Sequence, residues 1–188
     1  MLSTYCHENL LSLIGYCNEG HEMVLVYDYM LRGSLTDHLF KMDRISLSLT
    51  WERRIDIATG ATRGLDFLHT SRNRVIHRDI KSSNILLDEN WARRRVVNMR
   101  LPEEQHGLVA WAKQCIKEGE INKLIDQNLM GSISSTCLKA FIGISAKCFY
   151  GHPQEWLAMY KVVKTPELAL LSQKNEGEGI ISFDEHTN

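Results

Sequence analysis

The stretch that most restricts this 188-residue chain is His77-Arg78-Asp79-Ile80-Lys81-Ser82-Ser83-Asn84. Seven of these eight side chains are polar, and apolar residues stand on either side: Val75-Ile76 before the run and Ile85-Leu86-Leu87 after it. Polar groups are buried only when they find partners. The run therefore reads as a loop pinned between two short apolar strands, with a helix ending at Leu68-His69 upstream. That helix, Thr50 to His69, is the clearest periodic segment. Thr50 suits an N-cap, and Trp51, Ile55, Ala58, Ala61, Leu65 and Leu68 follow at spacings of three and four, on one face. Gly60 and Gly64 lower its helix propensity; they either allow close packing or are tolerated.

Residues 1 to 10 read as the end of a helix and a turn. Leu11–Cys17 and Met23–Tyr29 are short and rich in apolar, β-branched and aromatic residues, and Asn18-Glu19-Gly20 lies between them with turn chemistry. This predicts a β-hairpin. Arg32-Gly33-Ser34 breaks the second strand, and Ser34 caps a short helix carrying Leu35, Leu39 and Phe40. Further helices are expected over Leu108–Lys117, from a cap at Ser135 or Thr136 to Phe149, and over Leu157–Leu171. Pro166 should kink or end the last one. The polar, acidic tail Gln173–Asn188 is expected to be disordered, apart from the small apolar cluster Ile180-Ile181.

Composition narrows the classes. The chain is globular in character, and its net charge of -1 gives no bulk attraction to nucleic acid or an anionic membrane. Arg93-Arg94-Arg95 reads as a solvated turn. Five cysteines without a C-x-x-C spacing suit neither a disulfide framework nor a zinc site, and fit a reducing compartment. No apolar run has the length of a membrane span, and no signal peptide opens the chain. The expectation is a cytoplasmic chain.

The run from His77 to Asn84 matches the H-R-D-x-x-x-x-N catalytic loop of protein kinases. With LVYDYMLRGSL, GLDFLH, VIHRDIKSSNILLDEN and CFYGHPQE, the chain resembles plant receptor-like serine/threonine kinases, and is most similar to their malectin-type (Feronia-like) group. The resemblance covers residues 1 to about 92 and about 93 to 172. It implies an α+β, incomplete protein-kinase-like fold: a mostly helical C-lobe remnant with a short N-lobe hairpin. It divides the chain into a partial kinase domain (1–92), C-terminal lobe helices (93–172) and a tail (173–188). It also implies roles. Asp79 resembles the catalytic base and Asn84 a Mg²⁺ ligand. Lys81 resembles the lysine that contacts the transferred phosphate, and Arg78 the arginine that pairs with a phosphorylated activation loop. Tyr27 resembles the gatekeeper, and Asp28, Tyr29 and Met30 the hinge that lines the adenine pocket. The cofactors implied are ATP and Mg²⁺. The partners implied are a protein substrate or an intact receptor kinase, with no nucleic acid. Intact members lie at the plasma membrane with the kinase domain on the cytosolic side.

The departures are as telling as the matches. No D-F-G and no A-P-E occur; Asp66-Phe67 is followed by Leu68. The resemblance places the Gly-rich loop, its strand lysine and the helix-C glutamate before Met1. After Leu87 the chain passes through Asp88–Ala92 and the arginine run into LPEEQHGL, which resembles the start of the family's αG region. The activation segment and the apolar αF helix are expected to be cut out near residues 92–97, as a skipped exon or gene-model error would do. Trp156-Leu157 stands where the family has Arg-Pro, so the Arg that pairs with the A-P-E Glu is absent along with its partner. Three outcomes stay open on sequence alone: a catalytically impaired kinase, a pseudokinase-like interaction module, or a non-functional misprocessed product.

Overall fold

The computed structural model describes residues 5–20, 22–40, 49–89, 106–149 and 157–181. Its elements run β1 (Leu13–Glu19), β2 (Glu22–Tyr27), α1 (Leu35–Phe40), α2 (Trp51–Thr70), α3 (His106–Glu118), α4 (Ser135–Cys148) and α5 (Met159–Ile181). Short 3-10 turns lie at Ser82–Asn84, Ile121–Leu124 and Gln127–Leu129. The fold is α+β, mostly helical with one two-stranded antiparallel sheet. Contacts divide it into two compact units. One is Met1–Leu49 with Asp56–Leu101; the other is Thr50–Ile55 with Pro102–Asn188. Among the described residues no helix is long and apolar enough to cross a membrane.

In the first unit β1 and β2 pair with Cys17 opposite Val24 and Glu19 opposite Glu22. The turn lies two residues later than predicted. Asn18 and Glu19 stay in the ladder, and the reversal falls at Gly20, whose φ of +63° suits glycine. Ile14, Tyr16 and Met23 remain exposed on this sheet. After β2, Gly33 takes φ +64°. The Ser34 backbone N–H and hydroxyl both donate to Asp37 Oδ2, at 2.9 and 2.8 Å, and the Asp37 N–H donates to Ser34 Oγ. This reciprocal cap starts α1 as expected.

The two strands expected to bracket the polar loop are not strands. Val75 donates to the Leu68 carbonyl at 3.0 Å, which fastens the chain to the end of α2. Residues 85–87 turn their backbone to residues 32–35 instead: Leu35 N–H donates to Ile85 O at 2.7 Å and Leu87 N–H to Gly33 O at 2.8 Å, around one isolated bridge between Ser34 and Leu86. Runs of two and three apolar residues had no strand partner to extend a ladder. Beneath them Leu49, Ile57 and Leu87 form a core with Leu35 and Ile85.

Thr50 caps α2, its hydroxyl accepting from the Arg53 N–H. Burial exceeds the single face predicted: Ile57, Thr59 and both glycines are buried as well. A Cβ at Gly64 would meet the Asn9 carbonyl oxygen at 2.8 Å and Leu10 at 3.3 Å. Gly64 is thus the close-packing case. The turn it admits is held by His7, which stacks on Phe67 of α2 at 4.8 Å and accepts from the Asn9 N–H at 3.0 Å. Gly64→Ala is expected to destabilise the chain, since overpacking against backbone costs about 1–3 kcal/mol, against about 1 kcal/mol gained in helix propensity. A urea midpoint that rises in this variant would refute the close approach.

In the second unit, Trp51 and Ile55 from the first turns of α2 pack with Leu129, Cys137 and Ala169. The apolar starts of α2 and α4 therefore meet. Trp51 Nε1–H points at Cys137 Sγ at 3.1 Å, and its ring meets Phe141 edge-on, centroids 5.4 Å apart. Arg54 pairs with Asp126 at 2.6 Å. The α4 cap is Ser134, one residue before the expected pair, and accepts from the Cys137 N–H. The run Ser132–Thr136 offers several equivalent hydroxyls, and only tertiary packing selects among them. α5 passes through Pro166 and does not end there; Ala169 and Leu170, just beyond the proline, are held in the core. It reaches Ile181, inside the segment expected to be disordered. Gln173 at the start of that segment is engaged on both sides, donating to Ser132 O and accepting from the Ser134 N–H. The arginine run, the expected junction near 92–97, Trp156, and residues 182–188 lie outside the described residues.

Candidate active site

The polar loop is built from alternation and from short local bonds. His77 and Asp79 point inward and are buried, while Arg78 and Ile80 point out and are exposed. Arg78 takes φ +67°, a left-handed backbone that costs a non-glycine residue on the order of 1–3 kcal/mol. The reversal it provides brings the Asp79 N–H back to His77 Nδ1 at 3.0 Å. A 3-10 turn at Ser82–Asn84 then returns Asn84 toward Asp79. The Asn84 carboxamide N–H₂ donates to the Asp79 carbonyl at 2.9 Å and to Asp79 Oδ2 at 2.8 Å. Lys81 Nζ lies 3.3 Å from the same Oδ2. On the outer side Ser82 Oγ meets Thr36 Oγ1 of α1 at 2.8 Å.

Asp79, Lys81 and Asn84 thus come together, with two donors converging on one carboxylate oxygen. Charge-assisted contacts of this kind fix the orientation of the group. Arg78 is outside this cluster. The predicted hinge residues Tyr27, Asp28, Tyr29 and Met30 line a cleft of about 460 Å³, and Ser83, Asn84 and Leu86 line the same cleft. Met30 is buried and its carbonyl accepts from the Gly33 N–H, while Tyr29 is 85% exposed. The cleft lies in the size range of small-molecule sites. Asn84 is the residue the carboxylate cluster and the cleft share. Leu86 and Leu11 in the cleft wall, and Asn9 beside His77, were not singled out as site residues from sequence and carry no local signal of that role. His77 and Ser83 were legible only as parts of the motif, and Gly64 only as a helix glycine that allows close packing or is tolerated. Among the described residues no group of three or more His, Cys, Asp or Glu side chains is placed to hold a metal ion.

A carboxylate so placed can take a proton from a hydroxyl brought within about 3 Å, and an ammonium beside it can meet negative charge that develops nearby. Burial holds the His77 pKa below its ordinary 6.5, with the Asp79 charge opposing. The unfolded ring therefore takes up its proton at higher pH than the folded one. Stability should be full above pH 6.5 and fall as the pH drops through 6.5 toward the folded value. The urea midpoint at pH 7.5 should exceed that at pH 5.5, and His77→Gln should reduce the difference.

A family model for the protein tyrosine and serine/threonine kinase domain matches residues 1–100. Among curated relatives, the receptor-like protein kinase ANXUR1 of Arabidopsis thaliana is 35% identical over 234 residues, covering 93% of this chain and 27% of the relative. ANXUR2 of the same plant is 34% identical with the same coverages, and the receptor-like protein kinase HERK 1 is 32% identical, covering 93% of this chain and 28% of the relative. The chain spans about a quarter of the length of these relatives. Their alignments run over 234 positions, more than the 188 residues of this chain, so the relatives carry internal stretches with no counterpart here.

Proposed function

The chain belongs to the protein tyrosine and serine/threonine kinase family, and we propose that it keeps the catalytic loop of that family in working geometry without transferring phosphate on its own. Asp79 is the candidate base, Lys81 the candidate phosphate contact, Asn84 the candidate metal-side amide, and Arg78 the candidate partner for a phosphorylated loop. Tyr27, Asp28, Tyr29 and Met30 are the candidate adenine-side wall. The observation that carries the proposal is a missing triplet: no Asp-Phe-Gly occurs after Leu87 or anywhere else in the 188 residues. The unmatched internal stretches in the relatives support the same reading. Transfer of a γ-phosphoryl group depends on positioning and on neutralising charge, and the metal-binding Asp of that triplet supplies much of the second.

The residues present do not fit Mg²⁺ held by this chain. Magnesium takes near-octahedral oxygen ligands, with one or two carboxylates beside the phosphates. Here the Asp79 carboxylate carries Lys81 and Asn84 on one oxygen, and among the described residues no group of three or more His, Cys, Asp or Glu side chains is placed to hold a metal ion. The cleft, by contrast, has room for a purine. A ligand that binds only the folded state raises its melting midpoint by mass action. The midpoint in millimolar ATP with Mg²⁺ should therefore equal that in ATP with EDTA. A midpoint raised by the metal specifically would overturn the proposal.

A second reading, an interaction module for a protein partner such as an intact kinase, draws support from the second unit. An apolar pocket of about 260 Å³ lies there among Trp51, Ile116, Leu138, Phe141 and Phe149. Saturable co-precipitation with an intact kinase domain, lost on Phe141→Asp in a chain that still folds, would favour it.

A further inference from the structure

Asn9 and His77 come from distant parts of the sequence, yet both line one small cavity of about 30 Å³ in the first unit, with Leu10, Gly64, Leu65 and Ile85 on its apolar side and Asp79, Lys81 and Asn84 along its other edge. Asn9 is 4% exposed and His77 3%. Asn9 Oδ1 and His77 Nε2 are buried without a hydrogen-bond partner among the described residues. The tautomer of His77 follows from its other nitrogen. Nδ1 accepts from the Asp79 N–H at 3.0 Å, so the neutral ring carries its proton on Nε2. A buried donor and a buried acceptor thus border one space. A water needs roughly 10–15 Å³ and two to four polar partners, and this cavity supplies the room and two partners.

We propose that the cavity binds one ordered water, which accepts from His77 Nε2–H and donates to Asn9 Oδ1. Asn9 then acts through that water as a positioning residue. It holds the proton on Nε2, which leaves Nδ1 to accept from the Asp79 backbone and so fixes the residue whose carboxylate meets Asn84 and Lys81. The close approach at Gly64, where a Cβ would stand 2.8 Å from the Asn9 carbonyl oxygen, sets Asn9 beside the cavity. Calling this catalytic positioning rests on the reading of Asp79 as the base; the bound water and the tautomer do not.

The test is nitrogen-15 NMR of the whole chain labelled at histidine. Wild type should show His77 with Nε2 protonated and Nδ1 bare, and a slowly exchanging Nε2–H with a cross-peak to water. Asn9→Leu should lose the cross-peak and the slow exchange of Nε2–H, and Asn9→Asp, which keeps an oxygen there, should retain both. An Nδ1-protonated ring in wild type, or an Asn9→Leu spectrum equal to wild type, would overturn the proposal. If Asn9→Leu does not fold, the wild-type cross-peak decides alone: its presence supports the water and its absence refutes it. These signals do not depend on phosphate transfer, so the positioning claim and the functional reading can fail separately.

Discussion

Trp51→Ala is expected to cost the chain about 3–5 kcal/mol, the usual range for removing a buried tryptophan. Typical domains have only about 5–15 kcal/mol in total, so this one change should take a large share of the stability. The indole is 8% exposed, meets Phe141 edge-on, reaches Cys137 with its N–H, and packs with Ile55, Leu129 and Ala169. Removal also enlarges the apolar pocket that Trp51 already borders, and rigid neighbours recover little of the lost contact. Trp51→Phe should cost less than the alanine variant, since it keeps a ring against Phe141 and loses the N–H. Urea unfolding with m held constant reads both. A loss below about 1 kcal/mol for the alanine variant would place the first turn of α2 outside the core.

Phosphate transfer by the 188-residue chain is expected to lie about five or more decades below that of a complete kinase domain. Metal neutralisation is worth several kcal/mol, or roughly three decades at about 1.36 kcal/mol each. Losing a positioned contact to the phosphates costs about two to three decades more, and no G-x-G-x-x-G occurs in the chain to supply one. Asp79 as base contributes about two to four decades; this assists a transfer that has first been positioned and cannot replace the positioning. Complete kinases turn over at about 1–100 per second, which leaves this chain near or below about 0.001 per second.

What could be read in advance was what is local. The cap and periodicity of α2 and the hairpin arise within short stretches, where spacing and backbone turns decide the outcome, whereas Asp79, Lys81 and Asn84 were singled out through the family resemblance. The cleft was legible only through family resemblance, because Tyr27–Met30 and Asn84 are joined by folding and not by spacing. Residues 75–76 and 85–87 misled because an apolar pair or triplet states burial without stating a partner; for the triplet the partner proved to be the turn at Gly33. Gln173 looked like the start of a polar tail, and its two bonds to the α4 turn depend on a long-range approach that no local pattern encodes. Asn9 and Gly64 are the same case at the site: one carbonyl oxygen beside one missing Cβ, visible only once α2 is folded.

The most direct measurement is transfer of labelled γ-phosphate from Mg·ATP to the purified chain and to a generic serine/threonine substrate, with Asp79→Asn alongside. The same background is expected from both proteins. Incorporation well above background in the wild-type chain, abolished by Asp79→Asn, would contradict the proposed loss of transfer.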